Sequence, residues 1–424
     1  MPPSSGGIRL QEAPFMTVSK AALAATLALG GLCATSLQAQ QPPAQARALA
    51  LSRDERAAIA ALQMAAGGVD RAAQDSALAA ARAAARGADA RYAVAHYQLE
   101  IARARGDQAQ VTQAVDTLVD SGLAQPDELP ALLAHQAARA FSASDFQRAD
   151  RLLGRIVQLQ PNNPVALADH GQLKARMGDR AAAVALIQRA IAVNQAAGRP
   201  SPESWHLRAL ALAADNRMAP QAIALARGLV VAYPTALNWR DALLSYRELA
   251  PADPSLDIDV RRLLRASQAL AGERDYIDYA QAATDAGLHG EAKAVLDEGV
   301  ARGLLEPTKP AVAAAITAAN RRAAPDRAGL ARLRTQAAAA AAGQPARVAG
   351  DAHFGHGQYA EAAELYRAAL LKGGEDANLV NSRLGASLAL ARRRPEAEAA
   401  LRLVTGPRAD LAGFWLTWLA RNPA

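Results

Sequence analysis

One cysteine stands in a chain of 424 residues, at Cys33, and aromatic side chains make up only 4% of the whole. A framework of disulfides is excluded, and so is a zinc site built from cysteine pairs. Stretches that alternate apolar and polar residues are missing, which argues against strands. The chain has no glycine-rich phosphate loop ending in Lys-Ser or Lys-Thr. It also has no His-Glu-x-x-His and no Gly-x-Ser-x-Gly, so the common parts of nucleotide, metalloprotease and serine-hydrolase chemistry are lacking. Charge of one sign is not concentrated anywhere. The formal charge of +7 comes from 47 basic and 40 acidic residues interspersed along the chain, a solvated surface and not a nucleic-acid track.

Alanine dominates the 51% of residues that are apolar, and alanine favours slim helices that pack closely. Near the start, the run from Met16 to Lys20 is a short basic segment, followed by an apolar stretch from Ala21 to Cys33 and a polar segment ending at Ala39. This is the layout of an export signal, too short in its apolar part to remain as a membrane span. Cleavage is expected after Ala39, leaving a mature chain without a thiol, and residues 1–15 read as an over-extended gene start. The expected address is the periplasm of a Gram-negative bacterium. From Arg53 onward, apolar residues recur three and four apart, and Gly-Asp, Asn-Pro and proline-rich breaks interrupt them every helix length. The chain is predicted to be all-α.

The breaks are periodic. Asp145 and Asp179 are 34 apart, as are Ala149 and Ala183. The stretch from Pro164 places Leu167, Gly171, Ala183, Ile187 and Ala190 at positions 4, 8, 20, 24 and 27 of such a period. The same alternation of small and bulky residues returns in Trp205, Ala209 and Ala222; in Tyr276, Ala280, Ala292 and Leu296; in Gly350, Ala362, Tyr366 and Ala369; and in Gly385, Ala397 and Leu401. Between them, Trp239 and Tyr246 open a stretch whose continuation, from Val260 to Leu270, departs from the pattern. In length and in these positions the chain resembles the tetratricopeptide repeat family. Small residues let paired helices touch, and the bulky residue opposite fills the gap. The turn glycine accepts a left-handed backbone, and the following aspartate caps the next helix.

The resemblance implies a right-handed α-solenoid of antiparallel helix pairs whose concave face binds a protein segment. Carried over position by position, that face would present Gln172, Arg176, His206, Arg240, Arg247, Gln281, Asp285, Arg347 and Asp351. The lysine and asparagine clamp of chaperone-binding members is not kept, because Ala134, Ala138, Ala168 and Gln172 stand in its place. The expected organisation is a signal over 1–39, a linker over 40–52, divergent repeats over 53–129 and tetratricopeptide-like repeats over 130–302. An alanine-rich helical pair over 303–342, further repeats over 343–406 and a C-terminal capping helix over 407–424 complete it. That last segment gathers Phe414, Trp415 and Trp418 in a chain that otherwise avoids aromatics, and it is expected to close the apolar end of the last repeat.

Function then reads as a non-catalytic exported scaffold with a protein or peptide partner and no cofactor, nucleic acid or transmembrane helix. Two other readings stand beside it. One is a subunit of an envelope assembly such as polysaccharide synthesis or export. The other is a metal-dependent hydrolase centred on His353 and His356, which are three apart on one predicted helix. Trp205 and Trp239 fall at or beside position 4 of their repeats and are expected to pack in the core.

Overall fold

The computed structural model describes residues 48–422. The segment read as an export signal, with Cys33 and most of the 40–52 linker, lies outside the described residues. Among those described, every regular element is helical, and the chain divides into two units at residues 201 and 202. The division falls inside the stretch read from sequence as one run of repeats, 130–302.

The first unit consists of four antiparallel helix pairs: α1 (Arg53–Ala66) with α2 (Arg71–Ala84), α3 (Ala88–Arg105) with α4 (Gln108–Asp120), α5 (Leu129–Ser142) with α6 (Phe146–Leu159), and α7 (Pro164–Arg176) with α8 (Arg180–Ala196). The second contains α9 (Glu203–Asp215), α10 (Ala219–Ala232), α11 (Ala236–Leu249), α12 (Pro254–Ala266), α13 (Glu273–Asp285) and α14 (His289–Ala301). It continues with α15 (Pro310–Ala339), α16 (Gln344–Gly355), α17 (Tyr359–Lys372), α18 (Ala377–Leu390), α19 (Arg394–Arg402) and α20 (Ala409–Arg421).

Local chemistry sets the helix starts. Gly178 has φ +85°, a conformation that costs glycine nothing, and the next residue, Asp179, accepts a hydrogen bond from the Ala182 N–H at 3.1 Å. Gly106 and Asp107 repeat the device two pairs earlier in the chain's order, with φ +72° and a 3.0 Å bond from Gln110 N–H. Within the pairs, the spacing of small and bulky residues does what packing requires. A carbon added to Gly171 would lie 2.8 Å from Cγ1 of Ile187 and 3.1 Å from the Ala183 carbonyl oxygen. At Gly350 the same carbon would lie 2.8 Å from the Tyr366 ring, and at Gly385 it would lie 2.4 Å from Cγ of Leu401. The small residue and its bulky partner are 16 apart each time, and their helices touch there. The chain is a tetratricopeptide-like array of helix pairs on this evidence.

Two elements differ from the sequence reading. The pair expected over 303–342 is one helix of 30 residues, α15, which runs through Pro325. Proline removes one backbone hydrogen bond and clashes with the preceding turn, at about 3 kcal/mol, but alanine-rich turns on both sides and a buried stripe of Val312, Ala319, Ala323, Leu330 and Ala337 keep the helix going. The C-terminal helix does lie against α18 and α19, as a cap for the last repeat would. It also reaches back to α10, at the other end of the second unit's sequence.

Candidate functional site

The second unit is organised around its own C-terminal helix. Phe414 packs on Trp239 and Tyr246 of α11, with ring centroids 6.3 and 5.7 Å apart, and Trp415 is buried. The Trp418 indole N–H donates to the Ala266 carbonyl at the end of α12 at 3.2 Å, and the Tyr246 hydroxyl donates to the Pro407 carbonyl at 3.3 Å. Trp239 is thus a core residue, as expected from its position.

Beneath this helix lies a balanced charge cluster. Arg262 on α12 forms a two-point pair with Glu291 of α14, at 2.9 and 2.7 Å, and bonds Asp259 at 3.0 Å. Arg383 of α18 grips Asp351 of α16 at 2.8 and 2.9 Å and reaches Asp259 at 3.1 Å. Arg408, just before α20, completes the set with a 2.7 Å bond to Asp259 and a 3.0 Å bond to Asp253. The Tyr279 and Tyr366 hydroxyls donate to Glu291 and Asp351 at 2.6 and 2.7 Å. Burial opposes ionisation of Asp351, yet Arg383 above all, with Arg262, Tyr366 and Arg347, holds its pKa below the usual carboxylate range. Taking these charges out of water is costly, so the cluster is weak evidence for stability; besides Asp253 at its edge, it gathers three arginines and three carboxylates from five places in the chain.

Beside the cluster opens a depression of about 460 Å³ lined by Pro254, Ser255, Asp257, Ile258, Ala282, Asp285, Leu288, Arg347, Asp351 and Arg383, among others. Three residues nominated from sequence, Asp285, Arg347 and Asp351, come together in this one place. The others are placed differently. Arg240 is held by Asp275 of α13 and the Ala269 carbonyl, and Arg247 by Asp257. Arg347 itself bonds Asp351 at 3.0 Å and pairs with Glu375. Gln281 donates to Asp285, one turn along α13, at 2.7 Å. His206 is buried edge-on against Tyr233, at 5.9 Å between centroids, where burial pushes its pKa down. Gln172 and Arg176 sit one turn apart on α7 in the first unit.

The histidines proposed for a metal do not act together. His356 turns its Nε2 to Asp326 of α15 at 3.1 Å, and His353 is buried with neither ring nitrogen hydrogen-bonded. Asp351, beside them in sequence, is committed to Arg383. Among the described residues, no three His, Cys, Asp or Glu side chains converge as metal ligands would.

The first unit holds a smaller polar cluster that the sequence reading missed. His96 lies between Glu128, 3.5 Å from Nδ1, and Glu100, 3.4 Å from Nε2, and the Tyr92 hydroxyl donates to Glu128 at 2.7 Å. Burial works against the imidazolium, but the two carboxylates outweigh it and raise the His96 pKa to about 9. Asp259, Arg262, Glu291, Arg383 and Arg408 were missed as well. Their one trace in the sequence is the departure from the repeat pattern after Val260, where α12 buries charge instead of small residues.

No protein-family profile matches the sequence, and no curated protein does so either. Among solved structures, a tetratricopeptide repeat protein from Parabacteroides merdae is similar with 13% identity and a TM-score of 0.27, covering 60% of this chain and 97% of its own. A chain of the Naa15/Naa10 complex bound to HypK-THB has 14% identity and a TM-score of 0.23, covering 87% of this chain and 73% of its own. Neither likeness bears on what this chain binds.

Proposed function

We propose that the protein is an exported, non-catalytic scaffold that holds a segment of another protein, and that the depression beside α12, α13, α16 and α18 receives that segment. The observation that carries this reading is the make-up of the lining: Asp257 and Asp285 with Arg347 and Arg383, among apolar Pro254, Ile258, Ala282 and Leu288. Both signs of charge among apolar residues suit an extended peptide, which offers main-chain donors and acceptors together with side chains of either charge. Export, and a periplasmic address, rest on the signal-like stretch from Met16 to Ala39.

A photo-crosslinking residue at position 285, introduced into the chain in its native host, should give a discrete adduct in the exported fraction. Ala282→Trp, which fills the depression, should abolish it. Adducts that persist in that variant, or that form equally from exposed position 54 in the first unit, would reject the depression as the binding place. The identity of the adduct decides whether the scaffold serves an envelope assembly.

A further inference from the structure

We propose that α15, which carries Arg321, Arg322, Arg327, Arg332 and Arg334, is a docking element for an acidic helical segment of a partner protein, received by Arg321 and Arg332. The helices before and after it pack directly on each other. A carbon added at Gly355 of α16 would lie 2.8 Å from the backbone nitrogen of Glu291 in α14, and one at Gly290 of α14 would lie 2.5 Å from the His356 ring. α14 and α16 thus touch each other as well as packing on α15, a helix of 30 residues and so about 45 Å long. Extra segments in repeat arrays gather on one face, which is often the binding face.

This helix is held firmly along one side. Its buried stripe faces the neighbouring helices, Asp326 accepts from the Gly290 N–H at 3.3 Å, and the Lys372 ammonium donates to the Ala337 and Ala338 carbonyls at 2.6 and 2.9 Å. Its other sides are exposed and strongly basic. All five arginines are exposed, and among the described residues none makes an ion pair or a hydrogen bond. The only carboxylate on the helix, Asp326, is taken by His356. Several arginines elsewhere in the unit, Arg240, Arg247, Arg265 and Arg347, each have a carboxylate.

The rest of the exposed surface of α15 selects the partner. It consists of alanines with Thr317, Asn320, Pro325, Thr335 and Gln336, and no exposed aromatic or large aliphatic residue. A helix that seats in a bilayer surface needs such bulky anchors. A face of small residues instead lets a second helix approach to about 8–10 Å. Arg321 and Arg332 are three turns apart, about 16 Å, on the side opposite the buried stripe, whereas Arg327 and Arg334 flank the stripe on one side and Arg322 on the other. Glutamates three turns apart on a partner helix would meet that pair, and the guanidinium fork matches each carboxylate at two points.

The test uses the whole chain and a labelled alanine-based helical peptide of about 20 residues with glutamates at that spacing. It should bind, more weakly as salt is added, and its glutamine counterpart should not. The double variant Arg321→Glu, Arg332→Glu, with an unchanged circular dichroism spectrum, should bind about tenfold more weakly. Equal binding by that variant overturns the proposal. So does tighter retention of the chain on phosphatidylglycerol vesicles or on heparin than on the peptide, which would make the helix a membrane or polyanion site.

Discussion

At Gly385, an added methyl carbon would lie 2.4 Å from Cγ of buried Leu401, whereas at Gly228, inside α10, it would meet nothing within 4 Å. Alanine in a helix is worth about 0.5–1 kcal/mol over glycine, and overpacking a helix contact costs about 1–3 kcal/mol. Gly228→Ala should therefore raise the denaturation midpoint of the second unit, and Gly385→Ala should lower it. Thermal melts of the two variants check this, and a midpoint for Gly385→Ala above that of Gly228→Ala would refute the contact logic of the repeat. Two histidines make opposite predictions about pH. The His96 pKa is about 9 in the folded chain against an ordinary 6.5, so its contribution is complete below pH 6.5 and is lost as pH rises through 9. His353 is lowered by burial; the unfolded chain takes up its proton first as pH falls through the ordinary imidazole value, so stability is lost on the acid side. His96→Gln should flatten the alkaline slope of stability and leave the acid slope in place, with denaturant titrations across that range as the measurement.

Elements are joined by side chains that propensity alone does not assign. The C-terminal helix α20 has Phe414 and Trp415 buried and Arg408 at its entrance, bonded to Asp259. Truncating a buried aromatic to alanine costs about 3–5 kcal/mol. Phe414→Ala should destabilise the second unit by that order and shift its tryptophan emission to the red as Trp415 and Trp418 meet water. An unchanged spectrum with a normal midpoint would mean that the helix is not seated on α11. At this scale the sequence was partly legible. The turn devices at Gly106-Asp107 and Gly178-Asp179 identified helix starts, because capping is a local interaction between neighbours in the chain. The continuity of α15 was not, since Pro325 reads locally as a break and only burial of its stripe against other helices outweighs that.

For the molecule as a whole, the observation is two units that meet at residues 201 and 202, each with its own buried residues. Fragments 48–201 and 202–424 should each unfold cooperatively when expressed separately, because a compact unit with buried residues of its own can fold alone. Circular dichroism melts decide; a fragment with no transition would show that the division is not one of folding. Outside α15, sequence by itself determined that the chain is helical and where small and bulky residues of paired helices touch. These follow from interactions between residues up to 16 apart, such as Gly171 with Ile187, which spacing alone predicts. Tertiary structure alone decided that Asp259, Asp351, Arg383 and Arg408 share one cluster and that α20 reaches back to α10. A charged residue reads the same in sequence whether it faces water or a distant partner, and only the closed packing of the second unit brings those partners within bonding distance.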